Sequence, residues 1–196
     1  MTPSSDERKS EFGPAWLLGI PGLALALVWG VAEGSFFFII PDLIVSLTAL
    51  FSLKKSLQQM GLVVLGSILA GVVLFQWSTL DYPTAHNAVS HVPFVRDTMF
   101  IKTQHDYSTL GVNALFKGPT QGIPYKIYAI EAPPYCSLPL FLLASIPARL
   151  ERLVLSWMVF ALLGFGFRKW RLPVWSAFTF HGCYWVIVYI CYWSAI

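Results

Sequence analysis

The sequence predicts an all-α integral membrane protein, with about four spanning helices plus two opposed re-entrant helical hairpins. Three observations predict it. Only 12% of the 196 residues are charged and 56% are hydrophobic, about half the charge that coats a soluble domain. Several uncharged stretches approach the ~20 residues that a bilayer-crossing helix needs. Two further apolar stretches are interrupted by Pro and Gly with a charge at the break, a pattern held in a bilayer only where the backbone is buried in protein or lines a cavity. The 16% aromatic content excludes a disordered chain, and a net charge of +3 gives no ground for a nucleic-acid partner.

The start, MTPSSDERKSEF, mixes acids and bases and reads as a polar tail over residues 1–12, not as a cleavable signal peptide. Residues 13–196 read as a single membrane domain. Four stretches are straightforward spans: Pro14–Ala32, Leu57–Trp77, Leu153–Phe167 and Leu172–Trp193. The first interrupted stretch, Gly34–Leu53, is broken at Pro41-Asp42. Pro removes a backbone donor and disfavours helix at Ile40, and an Asp at mid-membrane depth costs about 2.5–3.5 kcal/mol on insertion scales. The second lies in Leu110–Ala148, with six prolines, three glycines and three charges, and predicts a hairpin over Leu110–Cys136. Between the second span and this hairpin, 81–106 is a polar segment with three histidines and five further charged residues.

Lys54-Lys55 and Arg168-Lys169-Arg171 flank spans and predict a shared cytoplasmic end, which makes the two hairpins dip from opposite faces. Arg96, Lys102, Arg149 and Arg152 fall on the other side in this layout and weaken the bias. Cys136, Cys183 and Cys191 have no CxxC spacing and read as small hydrophobes. His86, His91 and His105 match no metal-ligand spacing, so neither a metal nor a cofactor is expected. His181, in the last span, fits a proton relay or a hydrogen-bonded structural role. Trp and Tyr near the span ends fit interfacial belts.

Glu33, the run FIIPDLIV carrying Pro41 and Asp42, and the run GVNALFKGPTQGIPYK from Gly111 to Lys126 together resemble the DedA family. This is the SNARE-associated or VTT-domain superfamily, and the YqaA-like branch is nearest in flavour. The resemblance spans roughly residues 33–149. It implies transport or scrambling of a phosphate-bearing lipid, a phospholipid or a polyprenyl phosphate, linked to protons, in the bacterial inner membrane. The family's second hairpin usually carries two Arg. Here Pro119 stands at the first position and Lys126 near the second, with Lys117 two residues from the missing charge. Lys is a compact point charge where Arg offers a planar fork.

The candidate site residues are Glu33, Asp42, Lys126, Glu131 and Lys117. A carboxylate in low dielectric can exchange protons near neutral pH, which suits Glu33 and Asp42 to coupling; Asp42 also suits a helix cap. Lys126 at that depth needs a carboxylate, a phosphate or water, and can pair with Asp42, Glu33 or Glu131. GPTQG offers free N–H groups as an anion nest. Lys117 contacts substrate or snorkels to headgroups, and Glu131 pairs with Lys126 or marks the hairpin's exit. The cluster Arg149-Leu-Glu-Arg152 reads as a helix start with local pairing, or as a headgroup contact. Membrane lipids and protons are the expected partners, and a homo-oligomer stays open. A small-solute or ion transporter and a non-transporting membrane assembly protein are the alternatives. The chain has no HxxxxD, KxxxxxRP or nucleophile-elbow motif, so an enzyme is not expected.

Overall fold

The computed structural model describes residues 13–37 and 40–194, except the side chains of Tyr192 and Trp193. The polar tail 1–12 lies outside the described residues, as do Phe38 and Ile39 of the FIIPDLIV run. All regular structure among the described residues is helical. In order, it comprises α1 (Ala15–Leu18), α2 (Ile20–Gly34), α3 (Asp42–Phe51), α4 (Leu53–Leu80), α5 (Tyr82–Ser90), α6 (Asp97–Leu110), a 3-10 segment (Gly111–Lys117), α7 (Gly118–Gln121), α8 (Tyr125–Glu131), α9 (Leu138–Lys169) and α10 (Val174–Ser194).

Three of these are long and apolar enough to cross a membrane: Leu53–Leu80, Leu138–Lys169 and Val174–Cys191. The expected span Pro14–Ala32 is instead divided. Gly19 adopts an extended conformation that ends α1, and Pro21 sits at the start of α2, where its missing N–H costs nothing. The remaining 15 residues of α2 are about 22 Å long, short of the ~30 Å hydrocarbon core. The expected span Leu153–Phe167 is longer than predicted, because α9 already begins at Leu138 and carries Pro147 inside it. Pro139 lies in its first turn, a position Pro tolerates. The polar segment 81–106 holds all of α5 and most of α6.

The long helix α4 is the spine. Small residues recur every fourth position on α2, at Gly22, Ala26, Gly30 and Gly34, and all four are buried. A Cβ at Gly30 would run into the Val63 carbonyl, and one at Gly66 into the Leu27 carbonyl. This is backbone-to-backbone packing of the small-xxx-small kind. Gly22 lies against Gln59 and Gly34 against Ser67 and Ala70, an order that makes α2 parallel to α4. After the break the chain returns as α3, which packs on α9 and α4, and Ser52 caps the next helix by accepting from the Lys55 N–H. A Cβ at Gly164 would strike the Leu50 carbonyl, so α9 also approaches α3 closely. Phe51, Phe160 and Trp185 fill the space between α3, α9 and α10.

The other end is built differently. α6 and the 3-10 segment enter, α7 turns at Gly122 in the left-handed conformation (φ 68°), and α8 leaves alongside α4. Tyr107 Oη donates to the Tyr128 carbonyl at 2.9 Å, and Ser78 Oγ to the Ile130 carbonyl at 2.5 Å. These bonds fix α8 between α6 and α4 around a core of Phe75, Tyr107, Tyr128 and Phe141. The two breaks, 35–41 and 118–124, therefore approach each other from opposite ends of α4.

Candidate functional site

A cavity of about 260 Å³ lies where the two breaks meet. Pro41, Gly118, Pro119, Gly122 and Pro124 from the breaks line it, together with four charged side chains: Glu33, Lys126, Arg149 and Arg152. Glu33 is in the last turn of α2, Lys126 in the first turn of α8, and both arginines are in α9. At 1.5 Å per residue, Ser67 beside Glu33 is about 21 Å along α4, and Arg149 and Arg152 are about 17 and 21 Å along α9. The charges thus sit near the middle of the long helices.

Arg149 is held from three sides. Its Nη1 donates to Glu33 Oε1 at 3.2 Å and its Nη2 to Glu33 Oε2, a bidentate pair. Nη2 also donates to Ser67 Oγ at 3.0 Å. The guanidinium carbon lies 4.9 Å from the centroid of the Tyr125 ring, within cation–π range. Tyr125 is fixed in turn by donating to Ser145 Oγ at 3.0 Å, and Gly71 leaves the room the ring occupies.

Lys126 is 1% exposed, and its Nζ donates to the Phe37 carbonyl at 2.7 Å. That carbonyl belongs to the first break, so the second element reaches across to the first through this bond. Ile40 is anchored further on: Trp29 Nε1 donates to its carbonyl at 3.1 Å, and its N–H donates to Tyr189 Oη at 3.2 Å.

Asp42, 1% exposed, begins α3 just behind the cavity wall. Its Oδ2 lies 3.0 Å from Arg152 Nε, although neither carboxylate oxygen receives an aligned hydrogen bond. The contact is Coulombic.

The five residues singled out from sequence divide accordingly. Glu33 and Lys126 line the cavity, and Asp42 stands against Arg152 at its edge. Glu131 does not meet Lys126: it accepts from Tyr82 Oη at 2.6 Å and Gln104 Nε2 at 2.9 Å, toward α5 and α6. Burial and the Glu131 carboxylate together push the Tyr82 phenol above its ordinary range. Lys117, its side chain 46% exposed, pairs with Asp106 at 3.2 Å and does not line the cavity. His181 Nε2 lies 2.9 Å from Ser46 Oγ, with the Trp185 indole donating into the same cluster. Among the described residues no group of three or more metal-binding side chains occurs.

Arg149 and Arg152 are the charged groups that the sequence reading assigned elsewhere. Taken as a helix start, they read as a locally paired cluster with Glu151 or as a headgroup contact. The helix begins at Leu138 instead, which carries both deep into it while Glu151 stays exposed. Their spacing of three residues, one helical face, in an otherwise apolar helix was the available signal.

Among the described residues, fold and site together define an all-helical protein with three helices long and apolar enough to cross a membrane and a charge-lined cavity about halfway along two of them. No family model matches the chain, and no curated protein or solved structure matches it either.

Proposed function

We propose that this is a DedA-like integral membrane protein, of the bacterial inner membrane, that moves a phosphate-bearing lipid across the bilayer, with its headgroup passing through the cavity. The observation that carries the reading is the convergence of Lys126, Arg149 and Arg152 with Glu33 on one cavity at mid-helix depth. Buried ionisable groups in a membrane are expensive and mark substrate or ion pathways, and Arg and Lys are the side chains that grip phosphate.

In this reading the pair α2 and α3 enters from the end of α4 at Leu53, and the unit from α6 to α8 from the end at Leu80. Each is a re-entrant hairpin. About 22 Å of α2 and 15 Å of α3 reach the middle and return, which suits helices too short to cross. Two opposed interrupted elements meeting at the midplane are the arrangement of transporter binding sites. They shorten the apolar barrier that a headgroup must cross, while its acyl chains stay in lipid. Glu33 provides the gate: an incoming phosphate would compete with its carboxylate for the Arg149 guanidinium.

The test is transbilayer movement of a fluorescent phospholipid in vesicles reconstituted with the full chain. Lys126→Ala and Arg149→Gln should each slow it by about tenfold or more, the loss of one charge-assisted phosphate contact. Wild-type rates in both folded variants would overturn the reading. A second reading is favoured by the cavity's size: about 260 Å³ is below the ~300 Å³ lower range of organic-ligand pockets and also suits a small inorganic ion. A small-solute or ion transporter would show solute flux without lipid movement.

A further inference from the structure

The charges around the cavity do not balance. Glu33 and Asp42 are the carboxylates of the set, and Lys126, Arg149 and Arg152 its cations. The charges that act on Lys126 are Glu33 and Arg149, and those that act on Asp42 are Arg152, Arg149 and Glu33. Two other buried carboxylates, Asp106 and Glu131, do not line the cavity. Asp106 faces Lys117, and Glu131 is held by Tyr82 and Gln104. With each group in its ordinary charge state, three cations face two carboxylates and one positive charge is left over.

That surplus can be located. Arg149 is matched by Glu33 through two hydrogen bonds, and Arg152 by Asp42 at 3.0 Å. Lys126 meets a carbonyl, which supplies a dipole and no charge. An ammonium buried to 1% exposure without a counter-charge is unfavourable by several kcal/mol on any account of ion desolvation. A ligand with one negative charge makes the cavity neutral. A ligand with two overshoots and leaves a buried anion in place of a buried cation.

We infer that the cavity is a single-charge anion site centred on Lys126, and that it selects a monoanion over a dianion. The lipid form of this inference rests on the function proposed above. It names a phosphodiester headgroup, which carries one charge, in preference to a terminal phosphomonoester, which carries close to two above its second pKa of about 6. A free monovalent anion has the same chemistry and would occupy the same place.

Binding to the full chain, held in nanodiscs of zwitterionic lipid, separates these cases. The probes are dihexanoyl phosphatidylglycerol, dihexanoyl phosphatidic acid at about pH 7.3 (above the second phosphate pKa of about 6), chloride and sulfate. The phosphodiester should bind at least about tenfold more tightly than the monoester, and chloride should compete where sulfate does not. Asp42→Asn and Glu33→Gln each raise the surplus to two and should swing the preference toward the monoester by about tenfold or more. If one of these fails to fold, the other carries the test. Lys126→Gln brings the surplus to zero and should abolish saturable binding of every probe. A loss through packing alone would not reverse a preference. Equal or tighter monoester binding by the wild type, an unchanged preference in a folded carboxylate variant, or no saturable binding of any probe would overturn the inference. Chloride binding with neither lipid bound would support the single-charge site and count against lipid as its cargo. Intact charge selectivity without lipid movement in vesicles would do the same.

Discussion

Glu33 and Arg149, 116 residues apart in the chain, form a bidentate ion pair at the centre of the helix assembly, with Ser67 completing it. The pair ties the end of α2 to the middle of α9 across α4. Removing one partner leaves a buried charge without compensation, which costs about 3–5 kcal/mol in comparable settings. Arg149→Ala and Glu33→Ala should each destabilise the protein on that scale in detergent unfolding. The double variant Glu33→Ala/Arg149→Ala should cost clearly less than the two single losses added together. Strict additivity would show that the two side chains do not act as a pair.

The α2–α4 crossing depends on absent side chains. Gly30→Val drives a side chain into the Val63 backbone and should cost about 1–3 kcal/mol or more, the range for overpacking. Gly61, on the same long helix, has nothing within 4 Å of where its Cβ would stand. Gly61→Ala should therefore leave stability within about 0.5 kcal/mol of wild type, or raise it through helix propensity. Similar thermal shifts in both variants would contradict the parallel packing described for these helices.

Glu131 separates stability from the proposed transport. Its carboxylate is buried and satisfied by Tyr82 and Gln104, away from the cavity. Tyr82→Phe or Gln104→Ala removes one of its hydrogen bonds and should cost about 1–3 kcal/mol, the usual penalty for a partnerless buried acceptor. Lipid movement by the folded fraction should be unchanged. A selective loss of transport at wild-type stability would place Glu131 in the path instead.

The junction between α4 and α5 carries a pH dependence. Asp81 accepts from the Thr84 N–H at 3.2 Å and from Thr84 Oγ1 at 2.5 Å, and these bonds hold its carboxyl below the usual carboxylate range. A depressed pKa contributes stability above the unfolded value of about 3.9. That contribution is lost as pH falls through the folded value. Amide exchange at Thr84 and Ala85, corrected for intrinsic rates, should accelerate only as pH drops below about 4. Asp81→Ala should remove the pH dependence, and a transition near neutrality would contradict the cap.

Much of the helical layout was legible in the chain because its causes are local. The interruption at Pro41-Asp42 and the Gly and Pro breaks around Gly118–Pro124 follow from missing donors and turn chemistry within a few residues. The long apolar run ending at Leu80 likewise reads directly as a helix able to cross a membrane. Local reading failed where a breaker was tolerated or a mild one sufficed. Pro147 lies inside α9, and Gly19 with Pro21 divides the first apolar run. That difference in helix limits moved Arg149 and Arg152 from a supposed helix-start cluster into the cavity wall.

Composition and spacing alone determined that this chain is helical, that it is too apolar for water, and where its backbone must break, since hydropathy and backbone conformation are properties of short windows. Only the tertiary structure decided that Lys126 meets the Phe37 carbonyl while Arg149 takes Glu33 and Arg152 takes Asp42. Those pairings join segments about 90 to 116 residues apart and depend on where α9 and α8 dock against α4, a docking that close backbone contact and core packing set together.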